Sequence, residues 1–248
     1  MRFSDRVYVV TGAGSGIGEA IAKKLAAEGG SVVVADFVEA GGRRVVQEIE
    51  AAGGVAAYLK ADVAEESDAD ELVRFAVATY GRLDGAVNNA GVGQPVQRIH
   101  EMATAAWDRI HTVDLRGVFF CMRAELIHFL GAGGGVIVNT ASGTGLKAAP
   151  GQGAYVAAKH GVIGLTKQAA IEYVNDGIRV NAVAPGLIAT PQFRSYPEDA
   201  QKMYAAMQPG GRPGEPVEVA NAMAWLLSDE ASFVSGETML VDAAQSQK

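Results

Sequence analysis

Three side chains carry the chemistry for which this sequence can be read: the hydroxyl of Ser142, the phenol of Tyr155 and the amine of Lys159. Tyr155 and Lys159 stand four apart in a stretch with helical patterning, which puts both on one face, roughly 5–6 Å apart at Cβ. A free phenol titrates near ~10, and using one as an acid or base near neutrality requires its anion to be favoured by about 3–4 kcal/mol. An ammonium in a partly dehydrated cleft can supply that much. The phenol then exchanges a proton with a substrate oxygen while the serine hydroxyl hydrogen-bonds the same oxygen. A tyrosine and a lysine at this spacing are also common on solvated helices. Here, however, Ser142 closes a valine-rich run, and the glycine- and alanine-rich loop from Thr144 to Gln152 leads from it into the helix.

What such a pair would act with is set near the N-terminus. Val7 to Ala22 reads VYVVTGAGSGIGEAIA, a buried strand that feeds a helix through glycine, with Ile17, Ala20, Ile21 and Leu25 at helical spacing. Gly12 permits the sharp turn, Gly16 removes a side chain that would hold a pyrophosphate off the backbone, and Gly18 lets the helix sit close to the sheet. The N–H groups of the first helical turn then face an anion. The spacing departs from G-x-G-x-x-G, since Ile17 stands where the last glycine would fall. Asp36 strengthens the reading. It follows the second apolar run, Ser31 to Ala35, about twenty residues on, where a carboxylate accepts hydrogen bonds from the adenosine ribose. It would repel a 2′-phosphate, and neither Ser15 nor Phe37 offers a compensating charge, so NAD(H) is expected over NADP(H). Arg43 and Arg44 lie farther into the next helix, where they read as a solvated face. With a nicotinamide ring over Tyr155, hydride transfer would accompany the proton exchange.

Composition bounds the rest. The chain has 248 residues, 49% of them apolar, enough for one large α/β domain over residues 1–248. Its formal net charge of −7 gives no footprint for nucleic acid or an anionic membrane. A single cysteine, Cys121, excludes an internal disulfide and suits a reducing compartment. No apolar run approaches the roughly 18 residues that span a bilayer, and no signal-peptide pattern opens the chain. A cytoplasmic protein is the expectation.

Valine-rich runs alternate with amphipathic segments, the pattern of a doubly wound parallel sheet. Helices are expected at Glu39–Ala52 and Glu65–Tyr80, and strands at Val55–Lys60 and within Gly85–Gly91, which ends in two asparagines and a glycine. Two helical segments follow between Thr104 and Leu130, weak at Gly117, with Trp107 and Phe120 as core or subunit interface. A strand at Gly135–Thr140 delivers Ser142, a long helix starts near Gly153, and a sixth strand covers Arg179–Ala184. The stretch from about 187 to 215 reads as a mobile lid, too broken by Pro191, Pro197, Pro209 and Pro213 for regular packing. Phe193, Tyr196, Met203, Tyr204 and Met207 on it hint at an apolar substrate. A helix at Val217–Leu227 and a strand at Glu237–Val241 complete the sheet.

Taken together, Thr11 to Gly18, Asp62-Val63, Asn88-Asn-Ala-Gly91, Ser142, Tyr155 with Lys159, and Pro185-Gly186 followed by Thr190 resemble the short-chain dehydrogenase/reductase family, in its compact single-domain branch. The resemblance covers almost the whole chain. It implies a Rossmann-type seven-stranded sheet in the order 3-2-1-4-5-6-7 and a homotetramer built on long paired helices and the C-terminal strand. It also implies that Gly12, Ser15, Gly16, Ile17 and Gly18 hold the dinucleotide, that Asp62 and the Val63 backbone hold the adenine, and that Asn89 and Ala90 line the cleft. Beyond Pro185 and Gly186, Ile188 and Thr190 would meet the nicotinamide carboxamide. The implied activity is interconversion of a secondary alcohol and a ketone. The alternatives are a reductase of 3-oxoacyl thioesters on a carrier protein, against which Asp36 and the acidic balance argue, and a dinucleotide-binding protein without turnover.

Two departures stand out. Asp114-Leu-Arg-Gly117 replaces the family's asparagine in N-x-x-G, which helps seat a water linking the lysine to solvent. Asp114 is therefore taken as a catalytic position that keeps the water and alters the charge beside Lys159. Val241-Asp-Ala-Ala244 stands where similar proteins often finish in Asp-Gly-Gly. His100, His111, His128 and His160 show no metal-ligand spacing to one another or to Cys121, so no catalytic metal is expected. His160 should point away from the cleft. Gln94, Val96, Thr144, Leu146 and Gln152 flank the cleft as candidate substrate contacts.

Overall fold

The computed structural model describes residues 1–247. Along the first strand Val7 and Val9 pack to one side while Tyr8 and Val10 pack to the other, so both faces need covering and a near-continuous valine run is what the position requires. The sheet comprises β1 (Val7–Thr11), β2 (Ser31–Asp36), β3 (Val55–Lys60), β4 (Gly85–Asn88), β5 (Gly135–Thr140), β6 (Ile178–Pro185) and β7 (Thr238–Val241), with the edge strands β3 and β7 less buried than those between them. All pair in parallel, in the order 3-2-1-4-5-6-7. The winding reverses between β1 and β4, which opens a crevice at the carboxyl ends of the strands.

Helices α1 (Gly16–Ala27) and α2 (Glu39–Ala51) cover one face, α3 (Glu66–Tyr80) the other. After α4 (Thr104–His111) the chain winds one π-type turn, Thr112–Arg116, and then continues as α5 (Gly117–Ala132). The weak point expected at Gly117 thus falls just before it. Gly117 is the close-approach residue instead, since a Cβ there would lie 2.9 Å from the Val63 carbonyl oxygen. Helix α6 (Gly153–Tyr173) packs beside α5, and Phe129, Val162 and Ile163 join Leu72 and Ile137 in one core.

The lid corrects the expectation. Residues 187–215 contain two short helices, α7 (Pro191–Arg194) and α8 (Glu198–Ala206), because Pro191 and Pro197 fall where helices begin, while Pro209 and Pro213 lie in the irregular stretch that follows. Pro191 is at the first helical position, where its missing N–H costs nothing, and Thr190 Oγ1 caps the turn by accepting from Phe193 N–H at 3.4 Å. Phe193, Tyr196 and Tyr204 pack ring to ring at 6.1 and 5.9 Å, closing the lid on itself. Helix α9 (Pro216–Leu227) then covers the α1 face. No helix among the described residues is long and apolar enough to cross a membrane.

Beneath the crevice lies a buried polar network. Asn88 Nδ2 donates to Glu125 Oε2 and to Asn139 Oδ1, both at 3.0 Å, and Asn139 Nδ2 donates to Thr166 Oγ1 at 2.9 Å. Asn88 Oδ1 and Glu125 Oε1 have no partner, so a proton on Glu125 gives the network a donor it lacks. Burial pushes the Glu125 carboxyl up to about 8, against the opposing pull of the Asn88 hydrogen bond. Folding therefore favours the neutral acid, and the stability this group contributes is full below the ordinary glutamate range and lost as pH rises through about 8. Glu125→Gln should flatten that loss, so thermal melts between about pH 5 and pH 9 should show the parent falling more steeply than the variant. Parallel curves would show that Glu125 is ionised in the fold.

Candidate active site

The candidate reacting groups are assembled from α6, the end of β5 and the π-type turn. Lys159 lies one helical turn past Tyr155, with its Nζ 5.5 Å from the centre of the Tyr155 ring. The amine is 3% exposed and donates to the carbonyl oxygen of Thr140, the last residue of β5, at 3.0 Å. Asp114 Oδ2 stands 3.7 Å from the same nitrogen, while Asp114 Oδ1 accepts the Val92 N–H at 2.7 Å. Asp114 Oδ2 has no hydrogen-bond partner. Burial pushes the Asp114 carboxyl up, with the Lys159 ammonium and the Val92 N–H pulling the other way. At such a distance two opposite charges attract by about 4 kcal/mol at an effective dielectric of ~20, less than the several kcal/mol that each buried ion costs. The pair is thus no net asset to the fold. Its effect is local, a negative charge set against the ammonium that the phenol faces. His160, next along the helix, is exposed and turns its Nδ1 back to the Val156 carbonyl, as expected.

Ser142 follows β5 in extended conformation, and its Oγ accepts from Thr144 N–H at 3.2 Å and from Thr144 Oγ1 at 3.0 Å. Thr144, a candidate substrate contact, thereby orients the serine.

The glycine turn has the shape that the sequence requires. Gly12 and Gly16 adopt φ of +63° and +59°, and a Cβ on Gly18 would lie 2.2 Å from the Gly12 carbonyl oxygen. Ser15, extended and without a side-chain cap bond, leads into α1, with Ile17 in its first turn. Backbone packs where side chains on Gly12 and Gly18 would go, against Ala90 and the Gly12 carbonyl, and the first N–H donors of α1, which have no intrahelical partner, are of the kind that face a phosphate-bearing group. Thr190 is the residue nearest Gly16, 3.4 Å from where its Cβ would be, so the lid root reaches the glycine turn. Asp36 accepts from Gly14 N–H and Val38 N–H, each at 2.8 Å, which fixes the carboxylate at the end of β2. Asp62 accepts the Ala64 N–H at 3.0 Å and so shapes the turn that carries Val63. These residues fit a bound dinucleotide.

Asn89 was expected only to line the cleft. Its Nδ2 donates to Thr11 and Gly12 carbonyls at 3.1 and 3.3 Å, and its Oδ1 accepts from Thr140 Oγ1 at 3.3 Å. It therefore ties the glycine turn to the strand end that holds Lys159, while Asn89 and Ala90 N–H groups both donate to Thr11 Oγ1. Arg44 also does more than expected. It is exposed, as a solvated face requires, but it also reaches back from α2 to donate to the Gly14 carbonyl at 3.0 Å and pairs with Glu19, bracing the glycine turn. Arg43 stays outward, paired with Glu39.

Around the rim, Gln94 bonds backbone and Gln152 pairs with Gln97, while Val96 and Leu146 are exposed. Pro185 ends β6, and Gly186 packs under the C-terminal segment, where a Cβ would meet Gln245 Oε1 at 2.6 Å. Ile188 is buried and bridges to Gly214. Gln245 was not anticipated: its Oε1 accepts from Leu187 N–H at 3.2 Å and its carbonyl from Lys147 Nζ at 2.8 Å. The two residues before it, Ala243 and Ala244, adopt φ of +48° and +64° where glycine would be unstrained. The alanine pair in place of Gly-Gly was the only sequence signal.

A family model described as "Enoyl-(Acyl carrier protein) reductase" matches residues 12–244. The chain belongs to the short-chain dehydrogenase/reductase family, and is an oxidoreductase of CH–OH groups. It is 48% identical to cyclohexanol dehydrogenase of Acinetobacter sp. (strain SE19), across 100% of this chain and 97% of that protein. It is 45% identical to cis-4-hydroxycyclohexanecarboxylate dehydrogenase of Sinomonas cyclohexanicum, across 97% and 96%. Among solved structures, 3-ketoacyl-(acyl-carrier-protein) reductase from Brucella melitensis complexed with NADH superposes with a TM-score of 0.92 at 36% identity, across 98% of this chain and 99% of that one.

The Asp114 charge has a measurable consequence. Asp114→Asn removes the negative charge that partly offsets the ammonium, so the pH at which alcohol oxidation reaches half its maximal rate should move to lower values with turnover retained. A pH–rate profile superimposable on the parent's would exclude an electrostatic role for Asp114.

Proposed function

We propose that this chain oxidises a ring-borne secondary alcohol to its ketone, reversibly, with NAD(H), and with Tyr155 as the general acid/base. The observation that carries the reading is the Lys159 ammonium, buried, anchored on Thr140 and set beside the Tyr155 ring. The relatives named for cyclohexanol and for a hydroxycyclohexane carboxylate support a cyclic substrate.

In oxidation Tyr155 would take the proton of the substrate hydroxyl and Ser142 would hold the same oxygen. When bound, the dinucleotide supplies a hydride acceptor at its nicotinamide carbon. Lys159 favours the phenolate and, with Asn89, fixes the distance from the strand end to the glycine turn. Gly12, Ser15, Gly16, Ile17 and Gly18 would hold the pyrophosphate, Asp62 and Val63 the adenine, and Ile188 and Thr190 the carboxamide. Asp36 supports NAD(H): its carboxylate is held at the end of β2, where it would meet the adenosine ribose, and Arg44 is already engaged with Glu19 and Gly14.

The exposed apolar residues of α5 and α6, among them Phe119, Ile127, Leu130 and Ile171, support assembly as a homotetramer. A single 25.7 kDa species in sedimentation would count against it. A lone, buried cysteine suits the cytoplasm. The carrier-thioester alternative is disfavoured by Asp36 and by a net charge of −7.

The test follows dinucleotide reduction at 340 nm with cyclohexanol and ring-substituted analogues, offering NAD and NADP in turn. NAD-linked turnover is expected, falling by about 10³-fold or more in Tyr155→Phe. In Asp36→Ala the preference for NAD over NADP should drop by about tenfold. A Tyr155→Phe variant with parental turnover would remove the assignment, and a parent that prefers NADP would remove the cofactor reading.

A further inference from the structure

Tyr155 is the third residue of α6, inside the first turn, where N–H groups have no intrahelical partner and helices fray. A side chain at the cap position ordinarily supplies an acceptor. Gln152, which holds that position, makes no side-chain cap bond. The acceptor comes from elsewhere in the chain. Gln94, in the loop after β4, accepts the Tyr155 N–H on Oε1 at 2.8 Å and donates from Nε2 to the Gly151 carbonyl at 2.9 Å. The same carbonyl accepts the Gln97 N–H at 3.0 Å, and Gln97 bridges to Gln152. Both ends of the Gln94 amide are therefore spent on the backbone that launches the helix.

We infer that Gln94 is a positioning residue, a cap supplied from a distant loop that fixes how far Tyr155 projects into the cleft. The inference rests on the proposed acid/base role of Tyr155. Lys159, a full turn farther in, is anchored independently by Thr140. Fraying of the first turn would consequently move the phenol and leave the amine in place, separating two groups that must act together. A displacement near 1 Å at a reacting group can cost about 10²-fold in rate. Gln94 was first considered as a substrate contact; its engaged amide assigns it to the helix instead.

Two variants of equal length separate capping from packing. Gln94→Met fills the space and offers only a weak thioether acceptor; Gln94→Glu keeps an oxygen acceptor for the Tyr155 N–H and gives up the donor to Gly151. Amide hydrogen exchange at residues 153–156 of the full chain, and steady-state oxidation of cyclohexanol with NAD, are measured for both. In Gln94→Met, exchange at the Tyr155 amide should accelerate by about tenfold and kcat should fall by about tenfold, with KM for NAD within about twofold of the parent. Gln94→Glu should keep the Tyr155 amide protected, with kcat between those of the parent and of Gln94→Met. The inference is overturned if Gln94→Met keeps the Tyr155 amide protected, if it raises only KM for the alcohol, or if the Tyr155 amide exchanges as fast in Gln94→Glu as in Gln94→Met. Tyr155→Phe, run in parallel, tests the acid/base role separately: should it turn over normally while the exchange data hold, the cap stands and the proposed reaction falls.

Discussion

A lysine that is 3% exposed has lost most of the water its amine would bond, and neighbouring dipoles or charges must take that water's place. Here the replacement is the carbonyl of Thr140, the last residue of a central strand, together with the carboxylate of Asp114. That single requirement organises the site. The Thr140 contact sets the distance between α6 and the end of β5, the π-type turn before α5 brings Asp114 inward, and Tyr155 lies on the same face of α6 one turn nearer its start. Such a turn inside a helical run is uncommon and falls at functional positions.

The second framework is the glycine turn and what surrounds it. Thr11, Asn89 and Thr140 form a chain of hydrogen bonds across β1, β4 and β5, so the dinucleotide side and the reacting side are joined through a few short side chains. Gly18 and Gly12 approach too closely for any side chain, and Arg44 braces the turn from α2. Rigidity of this kind costs less than a lid that must order itself, because backbone and short side chains have little rotamer freedom to lose.

Much of this was legible in the amino-acid sequence, and for identifiable reasons. Valine runs separated by amphipathic segments specify a parallel sheet through periodicity alone, and the glycine turn, Asp36, Ser142, Tyr155 and Lys159 stand at positions where few other roles fit. What was not legible depended on partners far apart in the chain. Glu125 is a lone acid within the apolar helical run from Val118 to Phe129, a signal that could have marked it, yet its pairing with Asn88 and Asn139 requires the register of β4 and β5. Arg44 is solvent-facing, but its additional reach to Gly14 is set by how α2 lies against the glycine turn. Pro191 and Pro197 begin helices, whereas Pro209 and Pro213 interrupt regular structure as the sequence implies. Gln94 and Gln245 carry no local pattern; each works through main-chain atoms that only the folded chain brings near.

The tail at Gln245 has an operational meaning. Two adjacent alanines sit in left-handed backbone there, so the clasp between Lys147 on the loop after Ser142 and Leu187 at the root of the lid is bought with local strain. On warming, that clasp is a natural place for the molecule to let go first, well before the valine-rich interior. Heat inactivation and loss of the fold are then separate events, and the enzyme would lose its grip on substrate while its far-ultraviolet spectrum was still that of the native protein.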